Sequence, residues 1–247
     1  MSLWNFHNPV RVHFGAGARG LLAGLSAGRR VLVVTTARGR RQIEADTALA
    51  AALAGTAALG WVDYVTSNPG LHETQIAIDR LAGQGFDLIV AFGGGSAMDA
   101  AKALAAALTP ETGNRDLATL IAAPGRYLTG ACLPVVALTT TSGTGAEVTP
   151  FATIWNHTEK KKLSLASPLL FPQAAIIDPE LTWGLSRDLT LSTGLDALNQ
   201  AFESVWNRNA TSVTRGIAGR AIAQGFVALP RLAADLDDHE ARTIIAE

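Results

Sequence analysis

The segment Asp87-Leu-Ile-Val-Ala-Phe-Gly-Gly-Gly-Ser-Ala-Met-Asp99 constrains this chain more than any other stretch. An apolar run that reads as a buried strand ends in three glycines, and a helix-forming run, Ala97–Leu108, follows at once. Glycines at 93–95 let the backbone turn tightly and leave no Cβ between its N–H groups and a ligand. Ser96 stands where an N-cap belongs, and Asp99 three residues later suits the acidic partner of a capping box. A helix N-terminus opening after such a turn presents unpaired amides and partial positive charge, which suits a pyrophosphate. The same pattern also serves as a plain strand-to-helix turn, and it lacks the third glycine of the G-x-G-x-x-G fingerprint.

The flanking sequence repeats this strand-then-helix alternation. Strands are expected at Val10–Phe14, Arg30–Thr35, Gly60–Val65 and Leu88–Phe92, with helices around Ala18–Leu25, Ile43–Leu53, Glu73–Gln84 and Ala97–Leu108. The unbroken β-branched run at Arg30–Thr35 is typical of a strand covered on both faces. The alternation predicts an α/β protein with a doubly wound parallel sheet. A further strand, Leu133–Leu138, empties into Thr139-Thr-Thr-Ser-Gly-Thr-Gly-Ala-Glu147. Phe151–Trp155 and Lys161–Leu165 read as a strand pair, and Ala174–Ile177 as a short strand stopped by Asp178-Pro179. Beyond Leu181 the texture turns helical: Leu189–Trp206, Val213–Leu229, a break at Pro230, and a last helix starting near Asp237. The expected division is an α/β nucleotide-binding domain over 1–180 and the first part of a helical domain over 181–247. The last helix stops before its apolar face is complete, so a C-terminal remainder is expected beyond Glu247.

Bulk properties narrow the function. The 247 residues are 48% hydrophobic and 17% charged, enough for a well-buried core. A net charge of −1 gives no drive toward nucleic acid or anionic membrane. No apolar run approaches a membrane span, and the N-terminus lacks the pattern of a signal peptide. The single cysteine, Cys132, excludes an intrachain disulfide and fits a reducing cytoplasm.

Phe14-Gly-Ala-Gly17, Ser67-Asn-Pro69, Gly93–Asp99, Thr139–Glu147, Asp178-Pro-Glu-Leu-Thr182 and Ser192-Thr-Gly-Leu-Asp-Ala-Leu198 together resemble the iron-containing (group III) alcohol dehydrogenases. These have a fold like that of dehydroquinate synthase. Trp4–Arg11, Leu189–Leu198 and Trp206-Asn-Arg-Asn209 more particularly resemble the phosphonoacetaldehyde reductase subgroup. The resemblance implies NAD(P)(H) between an α/β and a helical domain, a small aldehyde or alcohol substrate, and a homodimer. It assigns Gly94, Gly95 and Ser96 to the pyrophosphate, with Asp99 supporting that turn. Thr139, Thr140 and Thr144 would line the cofactor's other side, Asn68 would face the diphosphate or ribose, and Leu181 would complete the site. Lys162 would contact the ribose, unless Lys160–Lys162 is simply a solvated charge run.

Two positions depart from the family pattern. NAD-using members often end the second strand with an aspartate that holds the adenosine ribose; here Thr36 stands there, followed by Arg38, Arg40 and Arg41. Loss of the carboxylate removes repulsion toward a 2′-phosphate, and arginines can bind one bidentately, so NADPH is as plausible as NADH. Alternatively these arginines only cap and solvate the following helix. The family's divalent metal, Fe2+ or Zn2+, sits on an aspartate, a histidine one turn later and two further histidines. Asp196 matches the first, Gln200 replaces the second, and the others would lie beyond Glu247. An amide oxygen is a weaker donor than imidazole, which puts metal binding in doubt and leaves open a metal-free reductase like maleylacetate reductase. A protein that binds nucleotide without turnover would show the same features. For a phosphonate substrate, Arg208 is the candidate cation, with a helix C-terminal charge as its plain alternative.

Overall fold

The computed structural model describes residues 3–110 and 112–247. In chain order the elements are β1 (Arg11–Phe14), α1 (Leu22–Ser26), β2 (Arg30–Val34), α2 (Ala37–Ala45), α3 (Thr47–Ala54), β3 (Ala58–Val62), α4 (Leu71–Leu81), β4 (Leu88–Gly93), α5 (Gly95–Leu108), α6 (Leu117–Ala122), α7 (Pro124–Tyr127), β5 (Val135–Thr139), β6 (Phe151–Asn156), β7 (Lys161–Ala166), β8 (Ala174–Ile177), α8 (Arg187–Trp206), α9 (Ser212–Ala234) and α10 (His239–Ala246). Six strands form one sheet in the order β1-β8-β5-β4-β2-β3, every neighbouring pair parallel. β6 and β7 form a separate antiparallel hairpin.

Period-two alternation along the central strands builds two cores. Leu32, Val34, Ile89, Ala91, Val135 and Ala137 face one side, with α4, α5 and α6 packed over them. Val31, Val33, Val90, Phe92, Val136 and Leu138 face the other, under residues of α1, α2 and α3. Both faces are covered, so the strands read as unbroken apolar runs rather than alternating ones. After β8, helices α8, α9 and α10 follow in succession and pack on one another. No described helix is long and apolar enough to cross a membrane.

Local chemistry moves several expected boundaries. The helix expected over Ile43–Leu53 is two: Asp46 ends α2 and caps α3, accepting from the amides of Ala48 and Leu49 at 3.0 Å each. Pro230 does not break the chain; it lies inside the continuous α9, where Ala228, Leu229 and Leu232 are buried on either side of it. The helix expected from Ala18 begins as a 3-10 turn, Ala18–Leu21, before α1.

Candidate functional site

β2 and β4 are neighbours in the sheet, yet the chain leaves β2 for the edge strand β3 before crossing back to β4. The crevice outside the carboxyl ends of β2 and β4 is therefore a topological switch point, the place where open α/β sheets hold ligands. A cleft of about 1170 Å³ lies there. Thr36 after β2, the Ser67–Pro69 loop, Gly93–Ser96 after β4, Thr140, Thr141 and Thr144 after β5, the β6–β7 hairpin, and Leu189, Thr193, Asp196 and Gln200 of α8 all line it.

The glycine turn is built for close approach. Gly93 has φ +149°, a conformation that L side chains rarely adopt, and it turns the chain from strand to helix. α5 then starts at Gly95 with Gly94 as its N-cap and no side chain capping it. By contrast Thr36, Asp46 and Ser186 cap α2, α3 and α8 with their own oxygens. The uncapped N-terminus faces the cleft, so its amides and dipole are available to an anion. An ideal Cβ on Gly94 would lie 2.7 Å from Thr141 Oγ1, and one on Gly95 2.9 Å from Thr144 Cγ2. The threonine loop thus packs directly on the glycine turn. A side chain at Gly95 would strike Thr144 first, before any ligand.

This start corrects the expected capping box. Ser96 lies inside the first turn, and its Oγ accepts from the Asn68 amide at 3.3 Å. That bond draws the Asn68 loop, itself in a left-handed conformation at φ +59°, over the turn. The His157 ring lies 3.2 Å from the Asn68 carbonyl and ties the same loop to the β6–β7 turn. Asp99 is no cap either; it lines the cleft from the helix body. Burial pushes its carboxyl up to about 6, against the pull of Lys102, the Thr153 backbone N–H and Lys162.

Of the residues expected at the site, Thr36, Asn68, Gly94, Gly95, Ser96, Asp99, Thr140, Thr144, Lys162, Leu181, Asp196 and Gln200 all line the cleft. Two do not. Thr139 is 7% exposed and donates its hydroxyl to the Thr141 carbonyl at 2.7 Å, so Thr141 takes the lining position. Arg208 lies exposed in the turn after α8, outside the lining. The cations that reach the cleft are Arg38, Arg41 and Lys162. Arg40 turns away to Asp63 and Glu44, at 2.6 and 2.9 Å, and stacks over Trp61. Sequence reasoning missed Phe151, Thr153 and Trp155. Their i, i+2, i+4 spacing on a strand already placed them on one face.

The metal expectation meets a poor donor set. Gln200 Nε2 donates to Asp196 Oδ2 at 2.9 Å, one turn apart on α8. Among the described residues no group of three His, Cys, Asp or Glu side chains is placed to hold a metal ion. One carboxylate and one neutral amide oxygen fall short of the four donors a zinc site uses, and an amide is a hard, weak ligand for iron or zinc. The residues present do not by themselves fit the metal.

A parallel sheet whose switch-point crevice opens onto an uncapped helix N-terminus defines a nucleotide-binding type of α/β protein. The chain belongs to the iron-containing alcohol dehydrogenase family, whose model matches residues 9–179. It is 42% identical over 159 residues to phosphonoacetaldehyde reductase of Streptomyces viridochromogenes, a match covering 63% of this chain and 40% of that protein. To the NAD-dependent methanol dehydrogenase of Bacillus methanolicus it is 34% identical over 194 residues, covering 74% and 47%. The chain thus spans less than half the length of these two relatives. Among solved structures, sulfoacetaldehyde reductase from Bifidobacterium kashiwanohense in complex with NAD+ superposes with a TM-score of 0.87 at 30% identity, covering 100% of this chain and 65% of that one. An iron-containing alcohol dehydrogenase from Thermotoga maritima gives 0.87 at 32% identity, covering 99% and 66%.

Proposed function

We propose that this chain carries the dinucleotide site of an NAD(P)H-dependent enzyme that reversibly reduces a small aldehyde to its alcohol. One observation carries the reading: the uncapped N-terminus of α5, the Asn68 loop, the threonine loop and α8 converge on one cleft. In this reading Gly94, Gly95 and Ser96 hold the pyrophosphate through backbone amides, and Thr140, Thr141 and Thr144 offer hydroxyls from the facing wall. Thr36 with Arg38 and Arg41 receives the adenosine ribose, an end of the cleft without a carboxylate at position 36 to repel a 2′-phosphate. Bound nicotinamide supplies the hydride. Asp196, Gln200 and Thr193 of α8 border the cleft and orient the carbonyl. The likeness to phosphonoacetaldehyde reductase and sulfoacetaldehyde reductase suggests an aldehyde bearing an anionic head, which Lys162 in the cleft can attract better than the outlying Arg208. Phosphonoacetaldehyde, giving 2-hydroxyethylphosphonate, is the first substrate to try.

Fluorescence titration with NADH and NADPH tests the site, and absorbance of the reduced nicotinamide with an aldehyde panel tests turnover. Saturable binding of either dinucleotide supports the reading, and no binding of either overturns it.

The Gln200–Asp196 hydrogen bond favours a second reading, reduction without a metal or binding without turnover. Elemental analysis alongside the aldehyde panel separates these. Turnover in chelated, metal-free protein selects metal-independent reduction. Dinucleotide binding with no oxidation across the panel selects the non-catalytic form.

A further inference from the structure

Lys102 is a buried cation that the proposed chemistry does not use. It lies on α5 two turns beyond the glycine turn and is 0% exposed. Its Nζ donates to the carbonyls of Ala146, Thr149 and Phe151 at 2.6, 2.7 and 2.8 Å, with Thr149 Oγ1 at 3.3 Å. An ammonium has three N–H donors, and three carbonyl oxygens at these distances saturate it. The three acceptors span the passage from the threonine loop into β6, and Ala146, Thr149 and Phe151 line the cleft themselves. The lysine therefore grips from behind the wall whose front faces the cleft.

Building on the proposed dinucleotide site, we propose that Lys102 is a positioning residue for it: its ammonium fixes segment 146–151 against α5 and so sets the spacing between the threonine wall and the glycine turn. Both walls hang on one helix. α5 offers its N-terminus to the ligand and, a little further along, the cation that clamps the opposite wall. Three charged groups surround this arrangement. Asp99 on α5 and Glu147 on the turn before β6 both pull on the Lys102 charge, and Lys162 of β7, also in the cleft lining, pulls on the charge of Asp99. Burial lowers the Lys102 pKa to about 8, while Asp99 and Glu147 pull it back up. The clamp is thus protonated at neutral pH and loses a donor under mildly alkaline conditions. A neutral amine has two N–H groups and a lone pair, so one of the three carbonyls is left facing that lone pair.

The test compares the wild type, Lys102→Met and Lys102→Arg by NADH and NADPH titration from pH 6.5 to 9.5, with hydrogen exchange of peptides covering 146–151. Met fills the aliphatic path without any donor, and Arg keeps a charge that does not titrate in this range. The expected result is that Lys102→Met stays folded by circular dichroism and binds about tenfold or more weakly at pH 7, having lost charge-assisted hydrogen bonds. Its pH profile should be flat where the wild type weakens above about pH 8. Lys102→Arg should restore part of the affinity and remove the alkaline weakening. Exchange over 146–151 should rise in the Met variant alone. A folded Lys102→Met with wild-type affinity overturns the proposal, whatever its melting temperature. If Lys102→Met does not fold, the wild-type profile decides, and constant affinity up to pH 9.5 overturns it. If the wild type binds no dinucleotide the cofactor reading falls instead, and unchanged exchange over 146–151 in Lys102→Met still overturns the clamp.

Discussion

Asp99 shows how one residue changes meaning when a helix starts two positions earlier than its sequence suggests. With Ser96 as N-cap it would be an exposed capping-box partner; with Gly94 as N-cap it is a half-enclosed carboxylate on the cleft side of α5. The sequence could not distinguish the two, because serine is a better N-cap than glycine by intrinsic preference. What decides is that Ser96 Oγ is engaged by the Asn68 amide, a contact 28 residues away in the chain. The consequence is measurable. The folded-state carboxyl titrates near 6 and the unfolded one near 3.8, so between these values the native state holds a proton that the unfolded chain releases. Stability contributed at this site is therefore lowest above pH 6 and recovers as pH falls through the window. Urea denaturation of the wild type and Asp99→Asn from pH 7.5 to 4 should show the wild type gaining stability relative to the variant as pH falls. A flat or opposite difference would mean that Asp99 is an ordinary solvated carboxylate.

At the scale of elements, the residues that end strands and open helices made most of the architecture legible. The apolar runs at 30–35, 88–92 and 133–138 became β2, β4 and β5 because β-branched and apolar residues buried on both faces suit a parallel sheet and little else. Less legible was anything fixed by a single capping side chain or by distant packing. Asp46 splits one expected helix into two, while the Ala- and Leu-rich flanks of Pro230 carry α9 straight through it. The short helices α6 and α7 were hidden in a stretch that reads as loop. At the site, the glycine turn and threonine loop announced themselves by composition. The β6 wall did not, since Phe151, Thr153 and Trp155 look like ordinary strand residues until the hairpin is placed. Thr36 belongs to this scale, since its first task is to cap α2, with Oγ1 accepting from the Gly39 amide at 3.0 Å. Aspartate is an equally good N-cap, so Thr36→Asp should leave α2 intact while placing a carboxylate at the proposed ribose end. The ratio of NADPH to NADH dissociation constants should then rise by roughly tenfold or more, through repulsion of the 2′-phosphate and acceptance from a free ribose diol. An unchanged ratio in a folded variant would place the ribose away from Thr36.

For the molecule as a whole, stability is distributed unevenly, and the cleft straddles the division. The sheet is sandwiched between two extensive apolar clusters, one on each face. The helices beyond β8 share a far smaller one: Ala228, Leu232 and Ala241, with Ile244 and Ile245 packed against it. Polar ties add to it. Arg242, 1% exposed, donates to the Leu236 and Leu185 carbonyls and to Thr190 Oγ1, binding α10 to the start of α8. Much of the apolar surface of these helices remains in solvent, including Leu195, Trp206, Ile217 and Phe226. Local opening follows the density of buried contacts, so these helices should open at lower cost than the sheet. Native-state hydrogen exchange under mild denaturant should show α8, α9 and α10 exchanging through a sub-global opening while β2, β4 and β5 stay protected to the global transition. Because Leu189, Thr193, Asp196 and Gln200 reach the cleft from α8, a ligand spanning it binds the closed arrangement alone and adds RT ln(1 + [L]/Kd) to the opening cost. Saturating dinucleotide should therefore slow exchange in α8 as well as in 140–146, and the opening free energy read from that exchange should rise with the logarithm of ligand concentration. Protection confined to the glycine turn and threonine loop would show that the dinucleotide is held by the α/β layer alone, with α8 left to the substrate.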